Sequence, residues 1–116
     1  MNVVLACRGC CCGTSKHPGV DHDAQLAVLG AVAETHPTPC LGPCRWSNVV
    51  VAVDTDDGTQ TWFGKVLDPA DTAMVACWLA APDHNPLPAQ VHVEARPADA
   101  ARALQLARFL HRKARA

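Results

Sequence analysis

The sequence predicts an α/β domain, with a mixed central sheet of four to five strands flanked by helices and a C-terminal strand–helix extension. Three observations carry this expectation. Short valine-rich apolar runs are separated by longer segments whose apolar residues recur at helical spacing. Two of those longer segments open on aspartate cap signals, at Asp21 and Asp68. The resulting order, β-α-(β)-β-β-α-β-α, is that of a layered sandwich rather than a helical bundle or an all-β fold. At 116 residues the chain suits one domain, 1–116, long enough to bury a core without disulfide staples.

The elements follow in order. Asn2 to Ala6 is an apolar run that predicts a buried strand ending at Cys7. Cys7 to Val20 contains Gly9, Gly13, Pro18 and Gly19 and is a loop. A helix starts near Asp21, with Asp23 in its first turn and Leu26, Leu29 and Ala33 on one face; it must stop before Pro37. Thr35 to Leu41 is rich in proline and is at most a short edge strand. Asn48 to Asp54 is the strongest strand signal, and Gln60 to Val66 follows it across the Asp57-Gly58 turn.

Asp68-Pro69-Ala70-Asp71 then combines an aspartate cap, proline at the first helical position and an acid in the first turn. Met74, Val75, Trp78 and Leu79 are expected to form that helix's apolar face, with Cys77 packed as a small hydrophobe, and Pro82 ends it. After a loop from Pro82 to Pro88, Ala89 to Ala95 predicts a strand with Val91 and Val93 on one face. Pro97 opens a final helix to about Lys113, with Leu104, Ala107 and Leu110 inward.

Composition narrows the function classes. Apolar residues make up 49% and charged residues 18%, a globular balance that argues against a disordered chain. No apolar run approaches the roughly 18–20 residues of a membrane span. Met1-Asn2-Val3-Val4-Leu5 lacks a basic leader region, so a cytoplasmic location is expected. A net charge of −1 argues against a basic nucleic-acid binder. Charge is uneven, however: residues 54–83 carry six Asp against one Lys, and residues 102–116 carry four Arg and one Lys with no acid. The simplest explanation is a solvated acidic hairpin and a helix whose cations suit its C-terminal dipole.

The cysteines are the chemical signal. Seven occur, at 7, 10, 11, 12, 40, 44 and 77, and six of them fall in two tight clusters. An odd count and three adjacent thiols fit a disulfide framework poorly, whereas clustered thiols in a reducing compartment hold metal or do redox chemistry. Both clusters are expected on loops at strand ends, where a sheet can bring separate segments together. Two pairs of thiolates satisfy the four-ligand requirement of a 2Fe–2S centre, and Gly9, Gly13 and Gly42 would allow close backbone approach. Cys7-x2-Cys10 with Cys40 and Cys44 would equally suit a four-thiolate zinc site, and soft Cu(I) binding also uses clustered thiols. A thioredoxin-type dithiol at Cys7 and Cys10 is disfavoured, because Gly13 to Gly19 separate it from any helix N-terminus.

Cys7-x4-Cys12 with Cys40-Leu41-Gly42-Pro43-Cys44, followed by a hydrophobic strand, resembles the thioredoxin-like 2Fe–2S ferredoxins. These include the small 2Fe–2S subunit of the respiratory NADH dehydrogenase and related hydrogenase subunits. The Cys-Leu-Gly-x-Cys element is the more specific half. The resemblance covers residues 2–81, so 1–82 is the family-like core and 83–116 the extension. It implies a thioredoxin-like fold, frequent homodimerisation, and one-electron transfer between redox partner proteins rather than an enzyme activity of the chain itself. It also implies Cys7, Cys12, Cys40 and Cys44 as ligands. Cys12 is preferred because x4 matches the respiratory subunits, with Cys11 or Cys10 as alternative second ligands.

The remaining polar residues are quieter. The six His, at 17, 22, 36, 84, 92 and 111, form no metal-spaced pair. Arg8 and Arg45 each follow an outer cysteine, and either stabilise a reduced cluster or point to water.

Overall fold

The computed structural model describes residues 2–8, 19–42, 46 and 48–115. The first strand, β1 (Asn2–Cys7), is apolar from Val3 onward and lies in the interior of the sheet, buried on both faces. A run with no polar alternation requires that position. It pairs in parallel with β2 (Glu34–Thr38) and antiparallel with β3 (Val50–Asp54). A hairpin continues to β4 (Gln60–Phe63), and the two-residue β5 (His92–Val93) closes the sheet. The strand order is β2-β1-β3-β4-β5: a mixed five-stranded sheet, as the sequence predicts. Pro37 is tolerated in β2 because that strand is an edge.

Helices cover both faces. One layer holds α1 (His22–Gly30) and α2 (Pro69–Ala80), packed on Val4, Val50, Ala52 and Phe63. The other holds α3 (Pro97–Arg115), whose Ala103 and Ala107 lie against Val3, Leu5, Cys7, Val51, Val53 and Trp62. The period-2 alternation of β1 and β3 sorts their side chains between these layers. The C-terminal extension is therefore not peripheral, since α3 forms one of the two core layers. The caps are those the sequence signals: Asp21 accepts from Ala24 N at 2.9 Å and Asp68 from Ala70 N at 2.8 Å.

Four expectations need correction. Helix α1 stops at Gly30 rather than reaching Ala33, because the chain must already be extended at Glu34 to pair with Val3. On α2 the buried stripe is Thr72, Val75, Ala76 and Leu79, which leaves Met74 and Cys77 exposed. The helix is apolar on most of its surface, so periodicity alone did not set its rotation. Val91 and Val93 pack into opposite layers, since Val91 precedes a strand too short to impose alternation. Strand β4 ends at Phe63, where the chain turns through Gly64 and Lys65, the latter at φ +55°.

Candidate metal centre

Parallel pairing decides where the two cysteine segments begin. β1 and β2 run in the same direction, so both end at one end of the sheet, and β3 starts there. Cys7 is the last residue of β1, directly beside Thr38, the last of β2. Its N–H donates to Val49 O at 2.9 Å, and Arg8 N donates to Thr38 O at 2.8 Å. Cys40 follows two residues after Thr38 and is half-buried. Cys7 itself is 3% exposed, within the apolar layer under α3 that also holds Leu41 and Val49. Cys10, Cys11, Cys12 and Cys44 lie outside the described residues, as do Gly9, Gly13, His17 and Arg45. Among the described residues, no three His, Cys, Asp or Glu side chains group as metal ligands would.

Leu41, Gly42, Trp46 and Asn48, the described residues on either side of Cys44, are each held by the rest of the fold. On one side Leu41 is buried and Gly42 adopts φ +117°. A Cβ at position 42 would lie 2.3 Å from Asp99 Oδ1, a side chain only 3% exposed in the first turn of α3. Asp99 is held in turn by Arg96 Nε at 3.0 Å. The requirement for glycine thus comes from the α3 layer as well as from backbone conformation. On the other side, Lys65 N donates to Trp46 O at 2.6 Å and Val66 N to Asn48 O at 3.1 Å.

Arg8 is neither directed at water nor on the Cys7 face. Its guanidinium donates to Gln25 Oε1 at 2.9 Å, His22 O at 3.2 Å and Cys7 O at 2.9 Å. Gln25, buried on α1, passes the network on through Nε2 to Val66 O at 2.8 Å and Thr72 Oγ1 at 3.2 Å. Asn48 Nδ2 lies 3.3 Å from His22 Nδ1. This polar network fixes the end of β1 against α1 and α2. Sequence reasoning missed Gln25, whose signal was a long polar side chain at i−4 from Leu29 on the inward face.

Across the sheet, a second polar group joins the edge strand to α3. The Glu34 carboxylate accepts from His36 Nε2 at 2.7 Å and His111 Nδ1 at 3.0 Å. Partial burial pushes this carboxyl up, but the two imidazole hydrogen bonds, with their charge, hold it below its ordinary value. His111 lies 77 positions beyond Glu34, which is why no histidine spacing disclosed the group.

No protein-family model, curated protein or solved structure matches this chain.

Proposed function

We propose that this protein is a 2Fe–2S electron carrier or redox subunit, with Cys7, Cys12, Cys40 and Cys44 as ligands and Cys11 or Cys10 as alternatives for the second. One observation supports the reading most: parallel β1 and β2 start both cysteine segments from the same end of the sheet. A centre held by two thiolates from each of two loops needs that arrangement. Two further features support it. The order β2-β1-β3-β4, with one parallel pair and an antiparallel hairpin, is compatible with a thioredoxin-like fold. The buried hydroxyl of Thr38, beside Cys7, has no hydrogen-bond partner among the described residues and suits a neighbouring anionic sulfur.

When bound, the cluster would accept and release one electron. The chain's own residues would hold it by thiolate sulfur, exclude water from the Cys7 side through Leu41, Val49 and α3, and fix Arg8 and Gly42, where the two cysteine segments leave the described structure, through Gln25 and Asp99. The partners would be redox proteins on either side of the transfer, in a reducing cytoplasm, with a homodimer as the assembly the resemblance implies. No helix among the described residues is long and apolar enough to cross a membrane.

Protein purified without oxygen should contain about two iron and two acid-labile sulfide per chain. Cys7→Ser, Cys40→Ser and Cys44→Ser should each lose them, while Cys77→Ala, at an exposed position, keeps them. Stoichiometric zinc or copper without sulfide would replace this reading by a non-redox thiolate site.

A further inference from the structure

We infer that Thr38 donates a hydrogen bond to the Cys7 sulfur when that sulfur is a metal-bound thiolate, and that this contact raises the reduction potential of the centre. The inference rests on the 2Fe–2S reading and assigns one of its tuning groups.

Thr38 is 4% exposed, and its Oγ1 has no hydrogen-bond partner among the described residues. Leaving a buried hydroxyl unsatisfied is costly, so such an atom calls for an explanation. The fold satisfies the hydroxyls of comparable threonines: Thr72, equally buried, accepts from Gln25, and Thr35 donates to Ala33 O at 3.0 Å. The backbone carbonyl of Thr38 is also used, accepting from Arg8 N. The hydroxyl alone is held in reserve.

Its position indicates for what. Thr38 and Cys7 are register partners on neighbouring parallel strands, so their side chains leave the sheet on the same face, toward α3. Neighbouring strands lie about 4.8 Å apart, and a rotation about χ1 of threonine can swing Oγ1 toward an adjacent side chain. A protonated thiol is a poor acceptor and gives little reason for that rotation. A thiolate is anionic, and in the apolar layer around Cys7, Leu41 and Val49 a hydroxyl donor to it is strengthened by the low local dielectric.

The direction of the effect follows from charge. Reduction adds one electron, here from dithionite, converting a diferric centre to a mixed ferric–ferrous one without breaking a bond or requiring a proton. The reduced form is the more negative, so a donor to a ligand sulfur stabilises it preferentially and raises the potential.

Thr38→Val removes the hydroxyl at nearly constant shape. In the metal-free protein it should leave thermal stability unchanged or improve it, because it deletes an unsatisfied group. In the loaded protein, the reduced-to-oxidised ratio at a fixed applied potential should fall three- to tenfold, where tenfold corresponds to 59 mV for one electron. Resonance Raman should show one iron–thiolate stretch moving to higher frequency. Thr38→Ser should restore both signals, and Thr38→Ala repeats the test should the valine variant fail to load. A wild-type potential and unshifted stretch in valine or alanine variants with full iron and sulfide would overturn the inference while leaving the 2Fe–2S reading intact. Wild-type protein that takes up no iron and sulfide would overturn both.

Discussion

Gly42 shows how much one residue of the thiol loop answers to a distant element. Its backbone is left-handed, and the space a side chain would need is filled by the Asp99 carboxylate. Gly42→Ala should therefore destabilise by about 1–3 kcal/mol, read from the urea midpoint. Combining it with Asp99→Ala should relieve the steric part but not the backbone strain, so the two effects will be less than additive. The sequence disclosed that position 42 is a loop glycine between two cysteines; it could not disclose Asp99, which lies 57 positions further along. Cys77 failed for a different reason. It lies between Ala76 and Trp78 on a mostly apolar helix, where composition fits either rotation, and only packing against the sheet selects the face containing Val75, Ala76 and Leu79.

The existence of each element was legible from local signals, whereas limits and packing set by long-range contacts were not. β1 and β3 declare themselves by uninterrupted valine-rich runs, and α2 by Asp68-Pro69 at its start. The alternation over Ala89 to Ala95 signalled the β5 strand but not its extent, because only His92 and Val93 find partners, in Phe63 and Trp62. The inward face of α3, with Leu104, Ala107 and Leu110, was legible; its closest approach to the sheet is through the fully buried Ala103 and Ala107, with the leucines packed beside them. Ala107→Leu should consequently cost about 1–3 kcal/mol by overpacking, whereas Ala101→Leu on the exposed face should change stability by less than about 0.5 kcal/mol. Equal tolerance in urea denaturation would contradict a core role for α3. The same helix is tied to β2 through Glu34. The folded carboxyl lies below its ordinary value near 4.5, so its contribution is fully present above that value and is lost as pH falls through the folded one. The difference in melting temperature between wild type and Glu34→Gln should accordingly be largest near neutrality and vanish as the carboxyl protonates in acid; a difference that grew in acid would contradict this account of the group.

At the scale of the whole molecule, β1 and β2 finish and β3 begins at one end of a sheet that carries a helical layer on each face. The sequence placed both thiol clusters on loops at strand ends; that the segments holding Cys7 and Cys40 start from the same end follows from the parallel pairing of β1 with β2 across α1. The sequence could not indicate that Arg8 would turn to α1 and Gln25, or that α3 would roof Cys7. The central claim is that this end of the molecule holds a centre that takes up one electron. Anaerobic titration of the purified protein with dithionite, followed by low-temperature EPR with spin integration, tests it most directly. The account predicts bleaching of visible bands with one electron consumed and about one unpaired spin appearing per chain; a colourless, EPR-silent protein that consumes no dithionite and carries stoichiometric zinc on its thiols would contradict it.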